Sequence, residues 1–437
     1  MAILTKEEAK ALLKKVLALS TADECTVKLN GYESGNIRYA RNSVSTSGAE
    51  SNISLEVESV FGKKTGMATI NEFGDDALAR IVKTSEELAK LSPENPEYMS
   101  VLEPQKYEKG IAFKKTTANV MPEDRTKIAE DSINPCKAKD VTAAGFMENS
   151  KSFKAMMNSK KLFAYAQSTD MEFSITARTA DGTGSGYSTC DFNDFSLFNA
   201  KEATQIALDK ALQSQNAKAL EPGKYTVILE PAASVGLIRN MMWSFAARSA
   251  DEGRSFLSKQ GGGNKLGEQI VDKRINIYSD PFNEEVPTTT WSDGMPRKKV
   301  SWIKNGKVEN LRYSRFWAKE KGKEAMPYPG NFIMEGGDDT LEKMIKSTKK
   351  GILVTRTWYI RTVDPQTLLY TGLTRDGTFY VENGKIKYPV KNFRFNESPV
   401  IMLNNVEALG KPVRIDGNLI PPMKIRDFTF SSLSDAI

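Results

Sequence analysis

Ile53-Ser54-Leu55-Glu56-Val57 alternates apolar and polar residues, and 120 positions later Phe173-Ser174-Ile175-Thr176-Ala177 does so again. Alternation with a period of two marks a strand with one buried face. At the same offset Ser185-Gly186-Tyr187-Ser188-Thr189 answers Thr65-Gly66-Met67-Ala68-Thr69. A helical pattern over Ala200–Ser214 answers the one that begins at Asp75-Asp76. Upstream, Gly145-Phe146-Met147-Glu148-Asn149-Ser150 loosely matches Asn30-Gly31-Tyr32-Glu33-Ser34. Strand, glycine turn and helix in one order and at one spacing indicate a duplication. Two copies do not make a solenoid. The expected fold is α+β: an N-terminal domain, residues 1–220, of two duplicated β-β-α type halves, followed by a β-rich C-terminal domain, residues 221–437.

The flanking sequence fits this plan. Thr5, with Glu8 three residues on, is set to cap a first helix running to about Leu19, with Leu12, Leu13, Val16 and Leu17 as its apolar stripe. A further helix over Pro122–Lys137 precedes strands that start at Val141. Asn30-Gly31 and Ser34-Gly35 read as turns. Pro93, Pro96 and Pro104 mark a linker, and Leu220-Glu221-Pro222-Gly223 the domain boundary. Beyond it come a buried-type strand, Tyr225–Leu229, and a helix opened by Pro231 that extends to about Arg248. Asn305-Gly306, Asp376-Gly377 and Asn383-Gly384 are hairpin signals, and one more helix is expected over Leu341–Thr348.

Not one of the 437 residues is histidine. That excludes Ser-His-Asp and Cys-His nucleophiles, histidine zinc motifs and imidazole proton shuttles. Cys25, Cys136 and Cys190 are far apart and odd in number, against a disulfide framework or a structural zinc site. No metal and no cofactor are expected. The 61 basic and 55 acidic residues are intermixed, and no aromatic pattern accompanies the basic runs, so no nucleic-acid partner is expected. The N-terminus is charged from the start. The apolar-leaning stretch Ser234–Ala247 is interrupted by Arg239 and Asn240 and is too short to span a bilayer. The expected location is the cytoplasm, with no membrane partner.

The C-terminal half carries more specific signals. Gly372-Leu373-Thr374-Arg375-Asp376-Gly377-Thr378-Phe379 is followed by Val381-Glu382-Asn383-Gly384-Lys385-Ile386-Lys387-Tyr388-Pro389-Val390. Gly253-Arg254-Ser255-Phe256-Leu257 precedes Leu266-Gly267-Glu268. Trp291-Ser292-Asp293-Gly294-Met295-Pro296 precedes Ile303-Lys304-Asn305-Gly306-Lys307-Val308. In this order and spacing, from about Tyr225 through Leu409, the chain resembles the TldD/PmbA family.

The resemblance implies a cytoplasmic two-domain protein and a pairing between a zinc-bearing TldD-type subunit and a TldE/PmbA-type subunit without zinc. Such pairs act as proteases on short or unfolded polypeptides. The TldD-type subunit carries H-E-x-x-x-H on the helix after the first C-terminal-domain strand, and a cysteine near the C-terminus. Here that helix holds Arg239, Asn240 and Ser244 around the corresponding slots, and no cysteine follows Cys190. The resemblance therefore points to a TldE/PmbA-like, metal-free subunit with no catalytic residue of its own. Its implied partners are a TldD-type zinc protease subunit, a like subunit in a dimer, and a peptide substrate. Arg254, Ser255 and Arg375 are the candidate substrate-binding residues, since a guanidinium can hold a peptide carboxylate through two parallel hydrogen bonds. Gly261-Gly262-Gly263-Asn264 is a candidate mobile loop beside the site. Trp291, Trp302, Phe316 and Trp317 are candidate interface or core aromatics. The alternatives are a stand-alone peptide-binding or scaffolding protein, and an enzyme with non-histidine chemistry.

Overall fold

The computed structural model describes residues 3–434. Helix α1 (Lys6–Leu17) begins at Thr5, whose hydroxyl accepts from the Glu8 amide while Glu8 reaches back to the Thr5 amide, a complete capping box. Strands β1 (Glu24–Ala40), β2 (Ser43–Phe61) and β3 (Lys64–Ile70) follow, then helix α2 (Asp75–Leu91). After a linker with one short helix, α3 (Lys115–Ala118), the order repeats: α4 (Pro122–Lys137), β4 (Val141–Asn158), β5 (Phe163–Thr179), β6 (Ser185–Phe192) and α5 (Ala200–Gln213).

All six strands form one antiparallel sheet in the order β3-β2-β1-β4-β5-β6. β1 and β4, the first strand of each half, pair with each other along the middle, so the halves are related by an approximate two-fold axis. Both helix sets cover one face. At one end α1 and α2 pack on Val27, Leu29, Leu55 and Val57. At the other α4 and α5 pack on Ile37, Tyr39, Phe173 and Ile175. Leu29 and Ile37 are eight residues apart, an even number, which keeps both on that face.

The pairing refines the offset. Val27 pairs with Val57, and Gly145 with Ile175, so β1 and β2 correspond to β4 and β5 at 118 residues. Gly66 pairs with Ser59 and Gly186 with Ala177, so the longer second hairpin restores 120 from β3 to β6. A two-residue slip keeps the same side chains inward, which is why the pattern matched at 120. At the axis Glu33 and Lys151, equivalent at 118, face each other and form an ion pair at 2.8 Å.

The turns expected at Asn30-Gly31 and Ser34-Gly35 do not exist; both dipeptides lie inside β1. Gly35 serves a close approach instead. The guanidinium of buried Arg125 lies where a Cβ would stand, and donates to Asn149 at 2.8 Å.

From β7 (Gly223–Leu229) onward the chain is rich in strands. A larger sheet runs Thr357–Asp364, Leu369–Thr374, Phe393–Glu397, Met423–Leu433, β7, Lys350–Val354, Thr378–Glu382 and Lys385–Pro389, with Val406–Leu409 also paired to Met423–Leu433. Asn383 and Gly384, both at positive φ, make the expected hairpin turn, as do Asn305 and Gly306. Asp376-Gly377 does not: the strands it joins are not neighbours. Helix α6 (Pro231–Trp243) stops short of Arg248 because the backbone at Phe245–Ala247 pairs with Arg312 instead.

Contacts at several points fix this part on the uncovered face of the first sheet. The Trp291–Pro296 hairpin packs on Met156, Leu162 and Ala164, and Lys154 Nζ donates to the Trp291 carbonyl at 2.8 Å. Arg414 donates to Asp191 and to Asn193, each at 2.8 Å. No helix among the described residues is long and apolar enough to cross a membrane.

Candidate functional site

Successive turns of α6 place Ala232, Val235, Gly236, Arg239 and Asn240 along one side of a cleft of about 700 Å3. Spacings of three and four put residues on a common helix face. The opposite wall is the strand Thr357–Asp364, which begins with the cleft-lining run Thr357-Trp358-Tyr359-Ile360-Arg361. It pairs only with Leu369–Thr374 and so ends the sheet. Its other backbone edge is not paired to any described strand. Gly236 allows the strand to sit close to the helix, since a Cβ there would meet Ile360 Cδ1 at 2.7 Å. Thr357 Oγ1 donates to the Ala233 carbonyl at 2.7 Å and ties the two walls together. Tyr187 and Thr189 of β6 and the Ile415-Asp416 turn close the cleft.

Guanidiniums dominate its chemistry. Arg239 donates to Asp416 at 3.3 Å. Arg356 donates to buried Asp376 at 2.6 Å and stacks 3.6 Å from the Tyr187 ring centroid. Asp376 also accepts from Ser185 at 2.6 Å, so one carboxylate joins β6 to the second sheet. Arg375 stands 3.7 Å from Asp376 and 4.4 Å from the Trp358 ring, and Arg361 lies 4.4 Å from the Tyr359 ring. The two aromatic rings are 5.6 Å apart. Tyr359 adopts φ +55, a strained conformation for a bulky residue, at the register shift between Trp358 and Arg361.

Beyond the cleft lining, the first sheet carries the opposite sign. Glu148, Glu172 and Asp191 stand in one row across β4, β5 and β6, with Asp170 beside them. Burial, then Asp191, pushes the Asp170 carboxyl up to about 7 against the pull of Arg414. Burial and the charges of Asp416 and Asp191 raise Glu172. Burial raises Asp416 too, against Arg239 and Arg356.

The residues at the family's zinc slots do not fit the metal. Arg239 is cationic and has no lone pair to offer, Asn240 is a neutral amide, and Ser244 caps the helix with its hydroxyl donating to the Asn240 carbonyl at 3.1 Å. Among the described residues no three His, Cys, Asp or Glu side chains gather as a metal site.

Arg375 backs the aromatic pair at the cleft. Arg254 lies elsewhere, paired with Glu252 on a loop whose Gly253 carbonyl accepts from Gln366, just past the far end of the edge strand. Ser255 is buried and braces that loop, accepting from the Leu257 amide at 3.2 Å. Trp291 and Trp302 are core residues, and Trp317 donates to Asp251 at 2.7 Å. The sequence reading passed over Arg356, Trp358, Tyr359 and Arg361. The aromatic pair flanked by arginines in Arg356-Thr357-Trp358-Tyr359-Ile360-Arg361 is the available signal.

Known proteins can be set beside this geometry. A family model described as the PmbA/TldA metallopeptidase C-terminal domain matches residues 222–432, and one described as the central domain of the same metallopeptidase matches 115–214. An uncharacterized protein of Methanocaldococcus jannaschii is 25% identical over 376 residues, covering 80% of this chain and 83% of the relative. The metalloprotease PmbA of Escherichia coli O157:H7 is 24% identical over 229 residues, about half of each chain at 49%. The crystal structure of TldE from Thermococcus kodakarensis superposes with a TM-score of 0.86 at 18% identity, over 97% of this chain and 99% of that one, which shows a common fold. With family models matching from residue 115 to residue 432, the chain belongs to the TldD/PmbA family.

Proposed function

We propose that this chain is a metal-free, TldE/PmbA-like subunit that pairs with a zinc-bearing TldD-type subunit, completes the substrate chamber and holds short or unfolded peptides for the partner's zinc. One observation carries this reading. Where a zinc motif would stand on α6, the chain has Arg239 and Asn240, yet the cleft beside them keeps an edge strand with one backbone edge unpaired. An extended peptide can add to such an edge through main-chain hydrogen bonds that do not depend on its sequence. Arg375 supports the strand's aromatic pair, and Arg254 is placed to meet a peptide long enough to pass the strand's end. Ser255 holds the Arg254 loop. The assembly is a dimer, homomeric alone or heteromeric with the partner, and works in the cytoplasm.

The test is a disordered peptide incubated with this chain, with a zinc-bearing homologue, and with both. Cleavage is expected only where the zinc-bearing homologue is present, and faster with both. Chelator-insensitive cleavage by this chain alone overturns the reading. A monomer by light scattering at all concentrations, unchanged by the homologue, overturns the pairing. The cleft is complete within one chain, which favours stand-alone peptide binding as the second reading. Peptide binding with no effect on the homologue's cleavage would select it.

A further inference from the structure

The charges around the edge strand do not cancel. Four guanidiniums, Arg239, Arg356, Arg361 and Arg375, meet two carboxylates, Asp376 and Asp416. Arg356 and Arg375 share Asp376, and Arg375 Nε is buried without a hydrogen-bond partner. Arg361 has no carboxylate within 4.0 Å among the described residues. Its charge instead lies against Tyr359, which is 52% exposed, in a run Arg375–Trp358–Tyr359–Arg361 of two rings between two cations. Stacking on a ring covers one face of a planar guanidinium and leaves the N–H edge pointing outward, the edge that matches a carboxylate. A concave site with surplus charge of one sign concentrates ligands of the other.

We infer that the cleft selects peptides that carry a carboxylate, bound by Arg361 with Arg239 as the second cation. This rests on the reading of the cleft as a peptide site. The carboxylate has two sources, an acidic side chain or a free C-terminus.

Fluorescence anisotropy with four labelled, disordered peptides tests it: one sequence with Glu or Gln at its centre, each with a free or an amidated C-terminus. At low salt at least one carboxylate-bearing form should bind about tenfold more tightly than the neutral peptide, the effect of one charge-assisted contact. Loss of preference on amidation identifies the C-terminus, and loss on Glu-to-Gln exchange the side chain; either supports the inference. Arg361→Gln should abolish the preference, while Arg361→Lys retains part of it. An unchanged circular-dichroism spectrum and thermal melt show that both variants are folded. Equal affinity of the wild-type chain for all four peptides, or a full preference in Arg361→Gln, overturns the inference and leaves the peptide reading standing. No binding of any peptide at about millimolar concentration, where contacts of this strength are still detected, overturns both.

Discussion

The two halves of the first sheet share their inner face and differ in their outer one. Leu55 and Phe173 are equivalent and buried, as are Val57 and Ile175. Gly66 and Gly186 each admit a helix backbone: a Cβ on the first would strike Ser85 and Ala89 of α2, and on the second Ala207 and Ala211 of α5. The outer faces have gone separate ways. Met67 is 57% exposed where its counterpart Tyr187 lines the cleft. Asn52 stands open where Asp170 adjoins Arg414. What packs against a half's own helices is held by packing. What meets the rest of the chain is set by whatever covers it, and only the second half's β5–β6 hairpin meets the Arg414 turn.

The sharpest way to break this comparison is at Arg414, whose contact with Asp191 has no counterpart on the first half. It and Asp191 are largely buried, and its removal strands a carboxylate whose Oδ1 already lacks a partner. Arg414→Met should cost about 4 kcal/mol in urea denaturation. A loss under about 1 kcal/mol would mean that water reaches this joint as easily as it reaches a surface pair. The glycine pair tests the likeness instead. Gly66→Ala and Gly186→Ala should each cost about 2 kcal/mol, because helix backbone must retreat from sheet. If one is tolerated and the other not, the halves are not packed by the same rule.

A smaller effect separates the outer faces by pH. The Asp170 carboxyl, held up to about 7 from 3.8, binds a proton in the folded chain that the unfolded chain has already released. The stability it contributes is full below pH 3.8 and is lost as pH rises to about 7. The side chain is 58% exposed, so solvent screens the effect and the slope is shallow. Asp170→Asn should flatten that slope in denaturation midpoints taken from pH 4 to 8; an unchanged slope would assign it to Glu172 or Asp416. Least of all, Ser47→Ala near the tip of β2, where Ser43–Asn52 is exposed throughout, should shift stability by under about 0.5 kcal/mol. A larger loss would show that this end is covered in solution.

Local signals in the sequence were reliable where the physics is local. Thr5 with Glu8, Pro122 before its helix, and Asn383-Gly384 each fix backbone within four residues, and each stands where expected. The duplication was legible for a different reason: alternation survives any even slip, so a match at 120 found strands that pair at 118. Gly31 and Gly35 misled because a glycine's sequence neighbours do not reveal whether it turns the chain or leaves room for a distant guanidinium. The cleft was half legible. The resemblance drew attention to Arg239, Asn240 and Arg375, but the wall opposite α6 is an edge strand more than a hundred residues away, and its edge status depends on the order of the whole sheet. Arg254 and Ser255 lie in sequence just beyond α6 and in space on a loop outside the cleft.

The ion pair of Glu33 with Lys151 has a consequence for how such a sheet can be built. In two identical chains joined about the same axis, position 33 would face its own copy, so a glutamate would meet a glutamate and a lysine a lysine, each costing energy. A countercharge on a symmetry axis requires the two sides to be different genes or different stretches of one. Carrying both halves on a single chain therefore lets the seam hold opposite charges where a symmetric assembly is restricted to residues that tolerate themselves.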